Sequence, residues 1–257
     1  LSITQNQSQD NILKSEVYIY DKGEKFKKVS VGSSLSARLK QVDLPEFYNL
    51  AFSGQSFFDG LEIIKRSGHL PETIYIETNF PQLEKDAGFV SGLVTPVFFD
   101  LQGVLPSLRI DKKPVAMPLA IRKKMKGENN EVVKEQKVDE AVFNNLKEQK
   151  RTYYQDIEID NNYKRGFDEL KGYVKFFESK GVHIVFFEMP INHTLSDLKI
   201  IKKLRDRFHT AYPKESYSYI PIPQNIQFKT TDGIHLSQRE TAIYTDYFKA
   251  MTDTLGL

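Results

Sequence analysis

The chain contains no cysteine. Disulfides, thiolate metal sites and a cysteine nucleophile are therefore excluded, and the redox compartment stays open. Histidine is sparse, at five residues, and no two stand at HxH or HExxH spacing, which argues against a zinc enzyme. No apolar run approaches the roughly 20 residues needed to cross a bilayer. An excess of one charge is also missing. The 36 basic and 34 acidic residues are interspersed and leave a net charge of +2, too mild for a nucleic-acid partner. No motif calls for a cofactor, and no internal repeat is visible.

What is present suits a folded enzyme-sized domain. A chain of 257 residues, 40% hydrophobic and 27% charged, can bury one sizeable core, with or without an insertion. It begins at Leu1 rather than Met, so an upstream signal or anchor is the expectation. Residues 1–25 are polar and rich in Asn, Gln and Lys, and read as a linker or loosely attached arm. Residues 26–257 read as the main domain.

Within it, short β-rich runs alternate with helical patterns. Strands are expected at Lys27–Val31, Glu46–Ala51, Thr73–Thr78, His183–Phe187 and Tyr217–Ile222, the last at an edge because Pro221 and Pro223 crowd its end. Ser34–Lys40 reads as a helix. Ser56–Arg66 reads as another, opened by a Ser56/Asp59 capping box. Phe167, Leu170, Val174 and Phe177 mark a helix stopped near Gly181, and Ile201, Leu204, Phe208 and Tyr212 mark one ended by Pro213. Ser237 and Glu240 open a final helix with Ile243, Tyr247, Met251 and Leu255 along one side. Residues 80–163 interrupt the alternation and read as a partly helical insertion after the third strand. The fold class is α/β: a three-layer sandwich with a central parallel sheet.

Ligands of open α/β sheets bind beyond the carboxyl ends of the strands. Four segments collect there: Gly32-Ser33-Ser34, Asn49 to Ser56, Glu77-Thr78-Asn79, and Asp232-Gly233-Ile234-His235. Together they hold what acyl transfer needs. Ser34 sits at a strand-to-helix turn, exposed, with its own N–H near a helix start that favours an oxyanion. A serine hydroxyl needs a base, and His235 can supply one. Asp232, three residues earlier, can orient the Nδ1 side of that imidazole. Gly54 lets a backbone N–H approach a carbonyl closely, and Asn79 can offer a side-chain N–H.

The set Gly32-x-Ser34, Asn49-x-x-x-Ser53-Gly54, Asn79 and Asp232-x-x-His235 resembles the SGNH (GDSL-like) hydrolases. The resemblance runs from residue 29 to 250, leaving out the insertion. It implies a flavodoxin-like three-layer sandwich. It also implies a Ser34–His235–Asp232 triad and an oxyanion hole formed by Ser34, Gly54 and Asn79. Two positions depart from the family pattern. Ser33 stands where Gly-Asp-Ser would place Asp, and Glu77-Thr78-Asn79-Phe80 replaces Gly-x-Asn-Asp. A Gly-Ser-Ser block with a large insertion is similar to bacterial proteins that handle acyl groups on cell-surface polymers. Teichoic-acid D-alanylation and exopolysaccharide O-acetylation proteins are examples. That likeness implies an esterase or O-acyltransferase, O-acetyl in particular, acting on a carbohydrate or cell-surface polymer. It further implies a membrane acyl-donor protein as partner and an extracytoplasmic location, with tethering by an N-terminal segment upstream of this chain.

Blander readings stand beside these. Gly-Ser-Ser is common in turns, Asp232-Gly233 can be a plain turn, and Asn79 can simply satisfy loop backbone. Ser33 and His193 are candidate substrate contacts, although a loop histidine is more often only a surface residue. Asp156, Glu158, Asp160 and Asn162 alternate like a calcium loop but lack its sixth-position glycine and twelfth-position glutamate. Arg122, Lys123, Lys124 and Lys126 form a basic cluster that could meet an anionic polymer or lipid headgroups but reads better as a solvated helix face. A competing reading of the whole is a non-catalytic polysaccharide-binding module that keeps the fold with an idle site. An α/β-hydrolase is a poor match, because Ser36 stands where its Gly-x-Ser-x-Gly elbow wants glycine.

Overall fold

Five parallel strands form one sheet in the order β2-β1-β3-β4-β5. They are β1 Lys28–Val31, β2 Phe47–Asn49, β3 Thr73–Glu77, β4 His183–Phe187 and β5 Ser218–Ile220. The computed structural model describes residues 3–22, 25–79, 85–94, 139–155, 157 and 161–256. The order 2-1-3-4-5 is that of flavodoxin-like sheets, which reverse direction between β1 and β3. That reversal opens a crevice at the carboxyl ends of these two strands.

Both sheet faces are covered, which is why the strands read as near-continuous apolar runs. Alternate residues of each strand enter opposite cores. Val29, Val31, Ile74, Ile76, Ile184 and Phe186 face one layer, while Tyr75, Val185 and Phe187 face the other. Helix α2 (Phe57–Ser67) buries Phe57, Phe58, Leu61 and Ile64 on the first face, beside α5 (Asn161–Glu178) with Leu170, Val174 and Phe177. The second face takes Ile201 and Leu204 of α7 (Lys199–Ala211) and Tyr244 and Phe248 of α8 (Gln238–Leu255). The α2 capping box forms as expected: Asp59 accepts from Ser56 N–H at 2.9 Å and Ser56 Oγ at 3.0 Å. Asp59 also accepts from Asp86 N–H at 2.8 Å, just ahead of α3 (Ala87–Val94).

Three expectations need correction. Residues read as a loose amino-terminal arm form helix α1 (Ile3–Glu16) and a π-helical segment (Val17–Lys22) docked on the core. Tyr18 and Ile19 are fully buried there. Ile12, Val17 and Tyr20 pack against the same core, and polar contacts that no apolar periodicity marks join them. Asn11 donates to Ser53 O at 2.9 Å, Lys14 Nζ to Ala51 O at 2.7 Å, and Tyr48 OH to Lys14 O at 2.6 Å. Second, the helix expected over Ser34–Lys40 is only a 3-10 turn at Ser36–Arg38. Third, the last helix buries Thr241, Tyr244, Thr245, Phe248 and Thr252, while Ile243 is exposed. Threonine methyls and tyrosine rings line the buried stripe, so counting aliphatic residues misplaced it by about one position.

Of the insertion, α3 and α4 (Glu140–Gln155) are described. The cluster Arg122–Lys126 and the acids Asp156, Glu158 and Asp160 lie outside the described residues. No described helix is long and apolar enough to cross a membrane.

Tyr18 tests the docking of the amino-terminal segment. It is fully buried and donates its hydroxyl to His69 O at 2.6 Å. Tyr18→Ala is expected to cost about 3–5 kcal/mol in urea unfolding, as large-to-small core changes of aromatic residues do. A cost under about 1 kcal/mol would mean that the segment is a loose arm after all.

Candidate active site

The site grows from the carboxyl ends of β1 and β3. After Val31 the chain turns through Gly32-Ser33-Ser34-Leu35 into the 3-10 turn. Gly32 has no substitute here: a Cβ would lie 2.6 Å from Glu77 Oε2 and would also overlap Ser36 Oγ. Ser34 Oγ meets His235 Nε2 at 2.8 Å, across 201 residues of chain. His235 Nδ1 meets Asp232 Oδ2 at 2.7 Å. The carboxylate requires a proton from Nδ1, which leaves the Nε2 lone pair to accept from the Ser34 hydroxyl.

The loop carrying Asp232 and His235 is rigidly built. Thr230 and Leu236 form an isolated antiparallel bridge, and Thr231 N–H donates to His235 O at 2.8 Å. Asp232 Oδ1 accepts from His235 N–H at 2.9 Å and Ile234 N–H at 3.1 Å, so the acid organises its own turn. Gly233 at φ +99° passes under Leu195 and the Lys147 stem, where a Cβ would come within 2.9 Å of Leu195. Asn192 N–H donates to Gly233 O at 2.9 Å, and Arg38 Nη1 donates to Leu236 O at 2.8 Å. Burial opposes the charge on Asp232. The hydrogen bonds from the His235 ring and amide outweigh it and hold the carboxyl well below the ordinary aspartate range.

The insertion reaches this loop through α4. Tyr154, nearly fully buried, packs among Leu195, Ile234 and Leu236. Burial raises its hydroxyl pKa first, and the charges of Tyr153 and Asp232 add to the effect.

The remaining predicted residues take varied places. Gly54 adopts φ +78° in the turn after β2, with open space around it. Among the described residues, neither the Gly54 amide nor the Ser34 amide has a protein acceptor. Asn79, expected as an oxyanion donor, uses one of its two amide hydrogens to pair with Met189. Its Nδ2 donates to Met189 O at 2.8 Å and its Oδ1 accepts from Met189 N–H at 2.7 Å, which ties the ends of β3 and β4. Ser33, expected as a substrate contact, is buried and points inward, with Oγ donating to Glu77 Oε1 at 2.7 Å. His193 is exposed on the short helix α6 (His193–Ser196). It lines a cleft of about 940 Å³ beyond β4 and β5, which neither Ser34 nor His235 lines. No described group of three His, Asp or Glu side chains could hold a metal ion.

The roles of two residues were not read from the sequence. Glu77 ends β3, fully buried, and accepts from Ser33 and Ser36. Ser33 and Glu77, the two departures from the family pattern, are therefore one contact. A carboxylate closing an otherwise apolar strand was the available signal. Arg38 supports the His235 loop through a backbone carbonyl, and no local pattern announces that.

No protein-family model and no curated protein matches the chain. Two solved structures share its course at low similarity. One is a Bacteroides fragilis protein described as a candidate acylhydrolase, at 11% identity over 98% of this chain and 97% of that one, with a TM-score of 0.48. The other is a Streptococcus pneumonia protein described as a candidate platelet activating factor, at 12% identity over 96% and 93%, with a TM-score of 0.45. Likeness at this level says nothing about chemistry. Strand order defines the fold, and the site stands on its own distances.

The depressed Asp232 gives a pH-dependent stability with a definite sign. Its contribution is fully present above the unfolded value near 3.8 and is lost as pH falls through the lower folded value. Asp232→Asn is therefore expected to melt below wild type at pH 6, with the gap closing toward pH 2. Thermal melts of both proteins across that range check this. A gap independent of pH would show that the carboxylate charge adds nothing to stability.

Proposed function

We propose that the chain is a serine-dependent acyl ester hydrolase or O-acyltransferase with Ser34 as nucleophile. The observation that carries this reading is the continuous chain Ser34 Oγ–His235 Nε2, His235 Nδ1–Asp232 Oδ2, at 2.8 Å and 2.7 Å. Both contacts lie within the distance over which a base removes a proton from a nucleophile.

In this mechanism Ser34 Oγ attacks an ester carbonyl while His235 Nε2 takes its proton. Asp232 stabilises the imidazolium without taking the proton itself. The oxyanion rests on the Ser34 and Gly54 amides, whose protons are uncommitted. The C–O bond to the alcohol breaks, the alcohol leaves with the proton from His235, and Ser34 remains acylated. His235 then deprotonates the second acceptor, which attacks the acyl carbon; the bond to Ser34 Oγ breaks, and His235 returns the proton to that oxygen. With water as acceptor the product is an acid; with a sugar hydroxyl it is a new ester. The finer reading is a short acyl group, acetyl in particular, on a carbohydrate or cell-surface polymer outside the cytoplasm. Support for it comes from the Gly32-Ser33-Ser34 block and the insertion that follows β3. A membrane protein as acyl donor belongs to the same reading.

Ser34→Ala and His235→Ala are each expected to lower aryl acetate hydrolysis by at least about 10³-fold, and Asp232→Asn by less. Intact-mass detection of an acyl adduct on wild type, absent in Ser34→Ala, checks the covalent step. Near-wild-type turnover by Ser34→Ala would end the proposal. Mass spectrometry of an oligosaccharide added to the reaction separates transfer from hydrolysis: transfer leaves an acetylated sugar.

A further inference from the structure

Glu77 closes β3 with 1% of its surface exposed. Its oxygens accept four hydrogen bonds, all from the turn that carries Ser34. Ser33 Oγ lies at 2.7 Å, Ser36 Oγ at 2.6 Å, and the Ser33 and Ser36 amides at 3.0 Å each. The donors flank Ser34 on both sides, and none belongs to Ser34 itself. Ser33 Oγ in turn accepts from Leu35 N–H at 3.3 Å. Of the amides from Ser33 to Ser36, that of Ser34 alone is uncommitted among the described residues.

Taking Ser34 as the nucleophile, we infer that Glu77 is its positioning residue. It grips Ser33 and Ser36 so that Ser34 Oγ is held against His235 and the Ser34 N–H is left facing the substrate carbonyl.

The physical case rests on what else could hold the turn. One 3-10 turn of three residues has little rigidity of its own. Burying a carboxylate is costly, and an apolar side chain would fill the space beneath a turn more cheaply. Burial does push the Glu77 carboxyl up from its ordinary value, and the four donors oppose that shift. Two hydroxyls and two amides aimed at one group suit an ionised acceptor, and such charge-assisted bonds are about twice as strong as neutral ones. Four bonds to the turn therefore converge on Glu77, while Asn49 Nδ2 holds its other side through the carbonyls of Ser36 at 2.9 Å and Leu39 at 2.7 Å. Misplacing a nucleophile by about 1 Å can cost about 10²-fold in rate.

The test uses the full chain and the variants Glu77→Gln and Ser36→Ala. The first keeps volume but points an amide NH₂ at N–H donors. The second removes one donor and leaves three. Aryl acetate kinetics are referred to the folded fraction measured by circular dichroism, and both variants are crystallised. Glu77→Gln is expected to lose about 10²-fold in kcat with KM within about twofold, and Ser36→Ala about tenfold. In both crystals Ser34 Oγ moves out of hydrogen-bond reach of His235 Nε2. If Glu77→Gln does not fold, Ser36→Ala decides by the same two readouts. A folded variant with wild-type kcat and an intact Ser34–His235 contact overturns the inference. If wild type hydrolyses no ester, the nucleophile reading fails by itself, and the crystal distances in the variants still judge the positioning.

Discussion

A carboxylate removed from water has to be surrounded by donors, and at the end of β3 those donors come from one short turn. Glu77 draws the Ser33 and Ser36 amides and hydroxyls inward, and the β1–β3 pairing delivers both partners to the same place. Val31 lies beside Ile76 in that register, so the chain after β1 emerges next to Glu77. Gly32 permits the close approach, since any side chain there would occupy the space of the hydrogen bonds. The turn that carries Ser34 is gripped by this contact on both sides of Ser34, and no α-helix starts there.

The two acids of the site behave oppositely, and the contrast follows from their surroundings. Asp232 is partly exposed and bound to an imidazole that can become positive, so its charged form is favoured. Glu77 is sealed among neutral donors, so desolvation prevails over its hydrogen bonds. One acid holds an imidazole in place; the other shapes backbone. Arg38 connects the two halves. It leaves the Ser36–Arg38 turn and bonds the carbonyl of Leu236, tying the segment of Ser34 to the histidine loop.

Elements outside the sheet also hold the site. The amino-terminal segment fastens the loop after β2 through Asn11 and Lys14, which bond the carbonyls of Ser53 and Ala51 on either side of Phe52. Gly54 sits in that loop. The insertion contributes Tyr154 and the stem of Lys147, packed against the loop of Asp232. Residues read as an arm and as an interruption thus form part of the walls.

The order of elements, the parallel sheet and the four strand-end blocks were legible in the sequence, because burial on both faces writes apolar runs and turns write glycine and serine. Asp232 with His235 was legible too, since three residues of spacing is a local matter. The role of Glu77, the pairing of Asn79 with Met189 and the inward turn of Ser33 were not. Each depends on which strand lies beside which, and the partners stand 44 to 110 residues apart. The docking of α1 was hidden for a related reason: Asn11 and Lys14 bond backbone carbonyls, which every residue carries and no side-chain pattern marks. Sequence alone determined which chemical groups lie at the sheet's carboxyl edge; tertiary structure decided which of them touch, because hydrogen bonds act over about 3 Å and only the folded register sets distances that fine.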